Sequence, residues 1–98
     1  MKIKIYQAKS DVDFKFMGFR YVEKFLNGNV NFDTNYKLVY EFEKNYQGSI
    51  TNILDSIYLC FQGVKPIDYK GHSLSVSDII EVDGVKYYVD SFGFKSLD

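Results

Sequence analysis

The residues best suited to chemistry lie in one short stretch, Gly71-His72-Ser73-Leu74-Ser75-Val76-Ser77-Asp78, with Asp90 further along the chain. One histidine, three hydroxyls and two carboxylates are the ingredients of a Ser-His-Asp relay, in which the imidazole takes the serine proton and the carboxylate orients the ring. The surrounding sequence argues against that reading. A nucleophilic serine usually sits on a strained turn whose backbone N–H groups stabilise an oxyanion, and no such elbow motif surrounds Ser73, Ser75 or Ser77. The same small polar groups are well suited to satisfying backbone N–H and C=O in a turn that enters a strand. The expectation is that His72 and the serines support the fold, with a small hydrolase using His72 as the lesser alternative.

The remaining reactive groups are equally sparse. Cys60 is the only cysteine; it falls at the edge of a helical apolar stripe beside Ile53, where a buried, inert thiol is expected. A single cysteine excludes an internal disulfide and suits a reducing interior. Metal sites need clusters of His, Cys or carboxylates at ligand spacing, and one His with one distant Cys does not supply them. Asp11/Asp13 and Asp78/Asp90 are acidic pairs that solvated turns explain. The seven glycines are scattered singly, so no phosphate-cradling loop is present. No catalytic residue, metal ligand or cofactor site is assigned.

At 98 residues the chain is sized for one domain spanning 1–98. A core this small needs large side chains, and nine Phe and nine Tyr supply them. Tyr is also favoured on surfaces that bind other proteins. Residues 1–47 hold eight Lys/Arg and six Asp/Glu, or +2; residues 48–98 hold four and seven, or −3. With no basic patch evident, nucleic acid is not expected as a direct ligand, and −3 is too sparse for duplex mimicry. No signal-peptide core and no long apolar run occurs, so the expected setting is the cytoplasm, without a membrane partner.

Hydropathy patterning outlines the elements that would position these groups. Residues 2–8 alternate, with Ile3 and Ile5 on one side, as a strand does. Phe19, Val22, Phe25 and Leu26 recur at helical spacing over 19–26, stopped by Asn27-Gly28. Residues 29–35 read as a turn. Residues 36–43 alternate again, placing Tyr36, Leu38, Tyr40 and Phe42 on one face. Ser49 caps a helix whose inward stripe is Ile50, Ile53, Leu54, Ile57 and Phe61, with Gly63 as the stop and Leu59 projecting away from the core. Asp83-Gly84 occupies the centre of a two-residue hairpin turn, which pairs 82 with 85, 81 with 86, 80 with 87 and 79 with 88. Ile80, Val82, Val85, Tyr87 and Val89 then share the core face, and Phe92, Phe94 and Leu97 offer further packing groups. The expected fold is α+β: an antiparallel sheet of about four strands with two helices packed on one face.

The block GHSLSVSDIIEVDGVKYYVDSFGF (71–94) resembles the YodL-like domain, a small family of Gram-positive bacteria, their phages and integrative elements. IYQ (5–7), FKFMGF (14–19), YKLVYE (36–41) and LDSIYLCFQ (54–62) agree in order, followed by PIDYKGHSLS. The resemblance implies a protein carried by a mobile element near genes that counter host defences. One bacterial member is associated with interference in the actin-like cytoskeleton that sets rod shape. Catalytic activity is not part of what the resemblance implies.

The expected function is therefore non-enzymatic binding and inhibition, or modulation, of a host protein. An anti-defence, anti-CRISPR-like inhibitor leads, and a modulator of the actin-like cytoskeleton is the alternative. Interface energy concentrates in Tyr, Trp and Arg anchors. The candidate contacts are Arg20, the only arginine, its neighbour Tyr21, Leu59, Tyr88 on the side of the hairpin away from its core, and Ser73 and Ser75. Ser73, Ser75 and Ser77 would line one side of an extended segment with Leu74 and Val76 turned inward, a strip open to a partner strand.

Overall fold

A computed structural model describes residues 1–63 and 65–98. Five strands and three helices follow one another as β1 (Lys2–Ala8), α1 (Phe19–Leu26), α2 (Phe32–Asn35), β2 (Tyr36–Glu43), α3 (Ile50–Cys60), β3 (Ile79–Val82), β4 (Val85–Val89) and β5 (Phe94–Ser96). The strands form one antiparallel sheet in the order β2-β1-β3-β4-β5. The architecture is α+β, as expected, with a fifth strand, β5, in a tail expected to offer only packing groups. Among the described residues, no helix is long and apolar enough to cross a membrane.

Local chemistry explains the elements that were legible. Asp83 and Gly84 take φ of 48° and 88°, the positive values a tight hairpin turn requires. The β3–β4 register is the one expected, with Ile79 opposite Tyr88 and Glu81 opposite Lys86. Glu81 completes that pair at 3.4 Å and lies 4.0 Å from Lys4 on β1. Ser49 caps α3 by accepting a hydrogen bond from the Asn52 N–H. Asn27 and Gly28 both adopt left-handed backbone where α1 ends.

The sheet is covered on both faces, not one. Ile3, Ile5, Ile80, Val82 and Val89 pack against Ile53, Leu54, Ile57 and Phe61 of α3 and its end. On the opposite face Ala8, Ile79 and Tyr88 pack against Phe14, Phe19 and Val22. Two hydrophobic layers need more covering surface than two helices on one side provide. The loop from Val12 to Gly18 and the short α2, in a stretch expected to be a turn, supply the rest.

Several side-chain expectations are corrected by this second layer. β2 carries a bulge, its register against β1 shifting between Ile5 and Tyr6 so that Val39 has no partner. Period-two alternation fails there: Tyr36 joins the α1 layer, Tyr40 and Phe42 the α3 layer, and Leu38 is exposed. On α1, Phe19 and Val22 are buried as expected, but Phe25 is 61% exposed. Ile50 is also exposed, and so is Phe92, at the tip of the loop before β5. α3 ends at Cys60, ahead of Gly63. The Cys60 thiol is exposed, not buried, because it lies past the flank of a stripe only three helical residues wide: Ile53, Leu54 and Ile57.

Candidate functional site

The GHSLSVSD segment folds back onto β1 around a residue the motif reading passed over. Gln7 lies on the same side of β1 as Ile3 and Ile5, a core position, and is 1% exposed. Its Oε1 accepts from the His72 N–H at 3.2 Å. Its Nε2 donates among the His72 carbonyl (2.9 Å), the Asp78 Oδ2 (3.0 Å) and the Tyr69 hydroxyl (3.2 Å). Tyr69 in turn donates to the His72 carbonyl at 2.7 Å. A polar side chain at a core position of an alternating strand was the available signal for this hub.

Asp78 closes the network from the other side. Its Oδ2 also accepts from the Ser75 N–H at 2.9 Å, while its Oδ1 and the Ser75 Oγ are buried without a partner among the described residues. Burial pushes the Asp78 carboxyl up to about 6, against the opposing pull of the Ser75 N–H, the Gln7 amide, and the nearby His72 and Lys15 charges. Burial also pushes the Tyr69 phenol up to about 12. The relay geometry is not assembled here. The His72 Nδ1 faces the Ser73 carbonyl at 2.7 Å and the Gln7 amide at 3.1 Å, with Gln7 interposed between the ring and Asp78. Asp90 is occupied elsewhere, accepting from the Phe19 and Ser91 N–H groups at 2.9 and 2.7 Å.

Gly71 shows how tightly this segment is seated. A Cβ at that position would stand 2.5 Å from Gln7 Oε1 and 2.8 Å from the Tyr69 hydroxyl. Gly71→Ala is therefore expected to cost roughly 1–3 kcal/mol by displacing groups already committed to hydrogen bonds. Urea titration checks this; a variant as stable as the parent would show that the segment yields freely.

The same segment fixes an apolar corner. Ser77, fully buried with φ of 85°, accepts from the Phe16 N–H at 2.8 Å and, through its carbonyl, from the Tyr36 hydroxyl at 2.6 Å. The Tyr88 hydroxyl donates to the Met17 carbonyl at 2.7 Å. A Cβ on Gly18 would come within 2.6 Å of the Ser91 hydroxyl, so this loop and the one at 90–93 lie against each other. From this braced corner Phe16 (57% exposed), Met17 (44%) and Phe92 (95%) point into solvent.

The six expected contact residues are dispersed. Arg20 is exposed in the first turn of α1, and half-buried Tyr21 follows it with its ring 4.7 Å from that of Phe25. Leu59 is 70% exposed on α3, across the sheet. Ser73 accepts from Lys65 Nζ at 2.9 Å, and the Ser75 Oγ is sealed inside, so the serines do not form an open strip. Tyr88 is fully buried; it faces away from the α3 layer into a second core, not into solvent. Phe16, Met17 and Phe92 escaped the sequence reading because large apolar residues in loops read as packing groups.

Compared with known families, residues 2–98 match the model of the YodL-like domain. The chain belongs to the YodL-like domain family. The YodL-like match covers both halves of the Gln7 network and both loops of the apolar corner. No curated protein and no solved structure gives a significant match.

Proposed function

We propose that this YodL-like domain works by binding a host protein and inhibiting or modulating it, with a defence effector of the CRISPR class as the target and a phage or mobile element as its setting. The observation that carries this reading is the braced corner. Three large apolar side chains are held in solvent on loops whose backbone is fixed by Ser77, Tyr88 and Asp90. Exposing them opposes solubility, and fixing the backbone that carries them lowers the entropy lost when a partner covers them. The family resemblance to mobile-element proteins near anti-defence genes supports the same direction.

Capture from lysate of a Gram-positive host, with the wild-type domain as bait, is expected to retain one specific partner. Phe16→Ala and Phe92→Ala should each weaken that complex by about 30-fold or more, as hot-spot truncations do, with little change in thermal stability. Failure to retain a specific partner under any growth or infection condition would end the proposal. Expression in a rod-shaped host separates the targets. Restored plasmid or phage uptake at unchanged cell shape identifies a defence effector, and loss of rod shape identifies the actin-like cytoskeleton.

A further inference from the structure

A second feature lies on the α1 layer. Between the loop after β1 and α1 is a cleft of about 350 Å³ whose lining includes Asp11, Asp13, Phe14, Tyr21, Phe25 and Leu26. Phe14 is buried at its base, and Asp11 and Asp13 are exposed. Neither carboxylate takes part in an ion pair among the described residues. The Tyr21 and Phe25 rings lie tilted at 46° with centroids 4.7 Å apart, and Lys24 Nζ stands 5.4 Å from the Phe25 centroid.

We propose that this cleft docks an arginine side chain of a partner polypeptide. Charge complementarity and shape select that occupant. Two unpaired carboxylates beside an aromatic pair favour a cation that both hydrogen-bonds in a plane and stacks, which a guanidinium does and a compact, strongly hydrated ammonium does less well. Val12, Phe14 and Leu26 in the lining offer apolar surface to the aliphatic stem of the same side chain. A bare divalent ion would need six or more oxygen ligands, which these two carboxylates do not provide. The position of Phe25 fits this use, since helical spacing alone would have turned it inward.

The inference rests on the protein-binding reading and adds a second contact to it. Amide chemical shifts of the ¹⁵N-labelled domain, titrated with acetyl-Gly-Arg-Gly-amide, test it directly. Saturable shifts are expected at residues 11–14 and 21–26. The neutral citrulline peptide, and the Asp11→Asn/Asp13→Asn protein with the arginine peptide, should bind at least about tenfold more weakly. Phe25→Ala should weaken binding without touching the carboxylates. Absence of saturable shifts there, equal binding of the citrulline peptide, or undiminished binding by both variants would overturn the proposal. The two readings fail separately. A captured host protein that binds Asp11→Asn/Asp13→Asn as tightly as wild type removes the cleft and leaves protein binding intact. If no partner is captured, protein binding is removed while the peptide titration still decides the cleft.

Discussion

Tyr88→Ala should destabilise the domain by about 3–5 kcal/mol, the range for deleting a large buried aromatic ring. Tyr88 is fully buried in the middle of the sheet, opposite Ile79, with its ring centroid 5.1 Å from that of Phe19 and 6.4 Å from that of Phe14. Deleting it opens a cavity among Phe14, Phe19 and Ile79. Total stability for a domain of this class is about 5–10 kcal/mol, so much of the population would unfold at modest temperature. Tyr88→Phe keeps the ring and removes only the bond to the Met17 carbonyl. That bond is only partly buried, so the cost should be about 1 kcal/mol. Urea unfolding followed by circular dichroism separates the two. A loss below about 1.5 kcal/mol for Tyr88→Ala would mean that the α1 layer is not a packed core. Tyr88→Phe should also loosen the 14–18 loop and weaken partner binding more than its stability cost implies.

Asp78 carries the second large expectation, and its sign is unusual for a carboxylate. Burial raises its pKa from 3.8 to about 6 in the folded chain. The folded state therefore holds this proton more tightly than the unfolded state. The associated stability is fully present below about pH 4 and is lost as pH rises through about 6. By this group alone the domain becomes less stable between pH 4 and 7, by on the order of 2–3 kcal/mol at most. Asp78→Asn removes the titration. An Asn carbonyl in the place of Oδ2 can still accept from Gln7 and the Ser75 N–H, and its amide would occupy the position of the unpartnered Oδ1. The stability of wild type relative to Asp78→Asn should thus decline from pH 4 to 7. A difference that stays flat, or that rises with pH, would show that the carboxylate is stabilised as the anion. His72 and Lys15 are the charged groups acting on Asp78. His72→Asn, by removing one of them, should push the Asp78 carboxyl further up and carry the decline to higher pH.

The contrast between what was and was not legible follows the range of the interactions. Caps, turns and the hairpin register depend on residues within a few positions of one another. Asp83-Gly84 needs positive φ wherever it folds, and Ser49 can reach Asn52 in any α3. The positions that misled each depend on a distant partner. Gln7 acquires its meaning from His72 and Asp78, more than sixty residues away. Tyr88 reads as outward-facing until the loop through Phe14 and the helix bearing Phe19 cover it. Val39 leaves the ladder where β2 shifts register against β1, a strand distant in sequence.

The GHSLSVSD segment illustrates both sides. By itself the sequence identified it as a fold signature and argued that its histidine and serines were supports, because small polar groups without an elbow motif suit turns better than catalysis. Only the tertiary structure decided what they support: Gln7 from β1 fills the space between His72 and Asp78, and Ser77 holds the Phe16 backbone. The choice of exposed side chains was also left to the fold. Which of eighteen aromatic rings face water depends on how many faces of the sheet are covered, and that is set by all the elements together, not by the local pattern of any one.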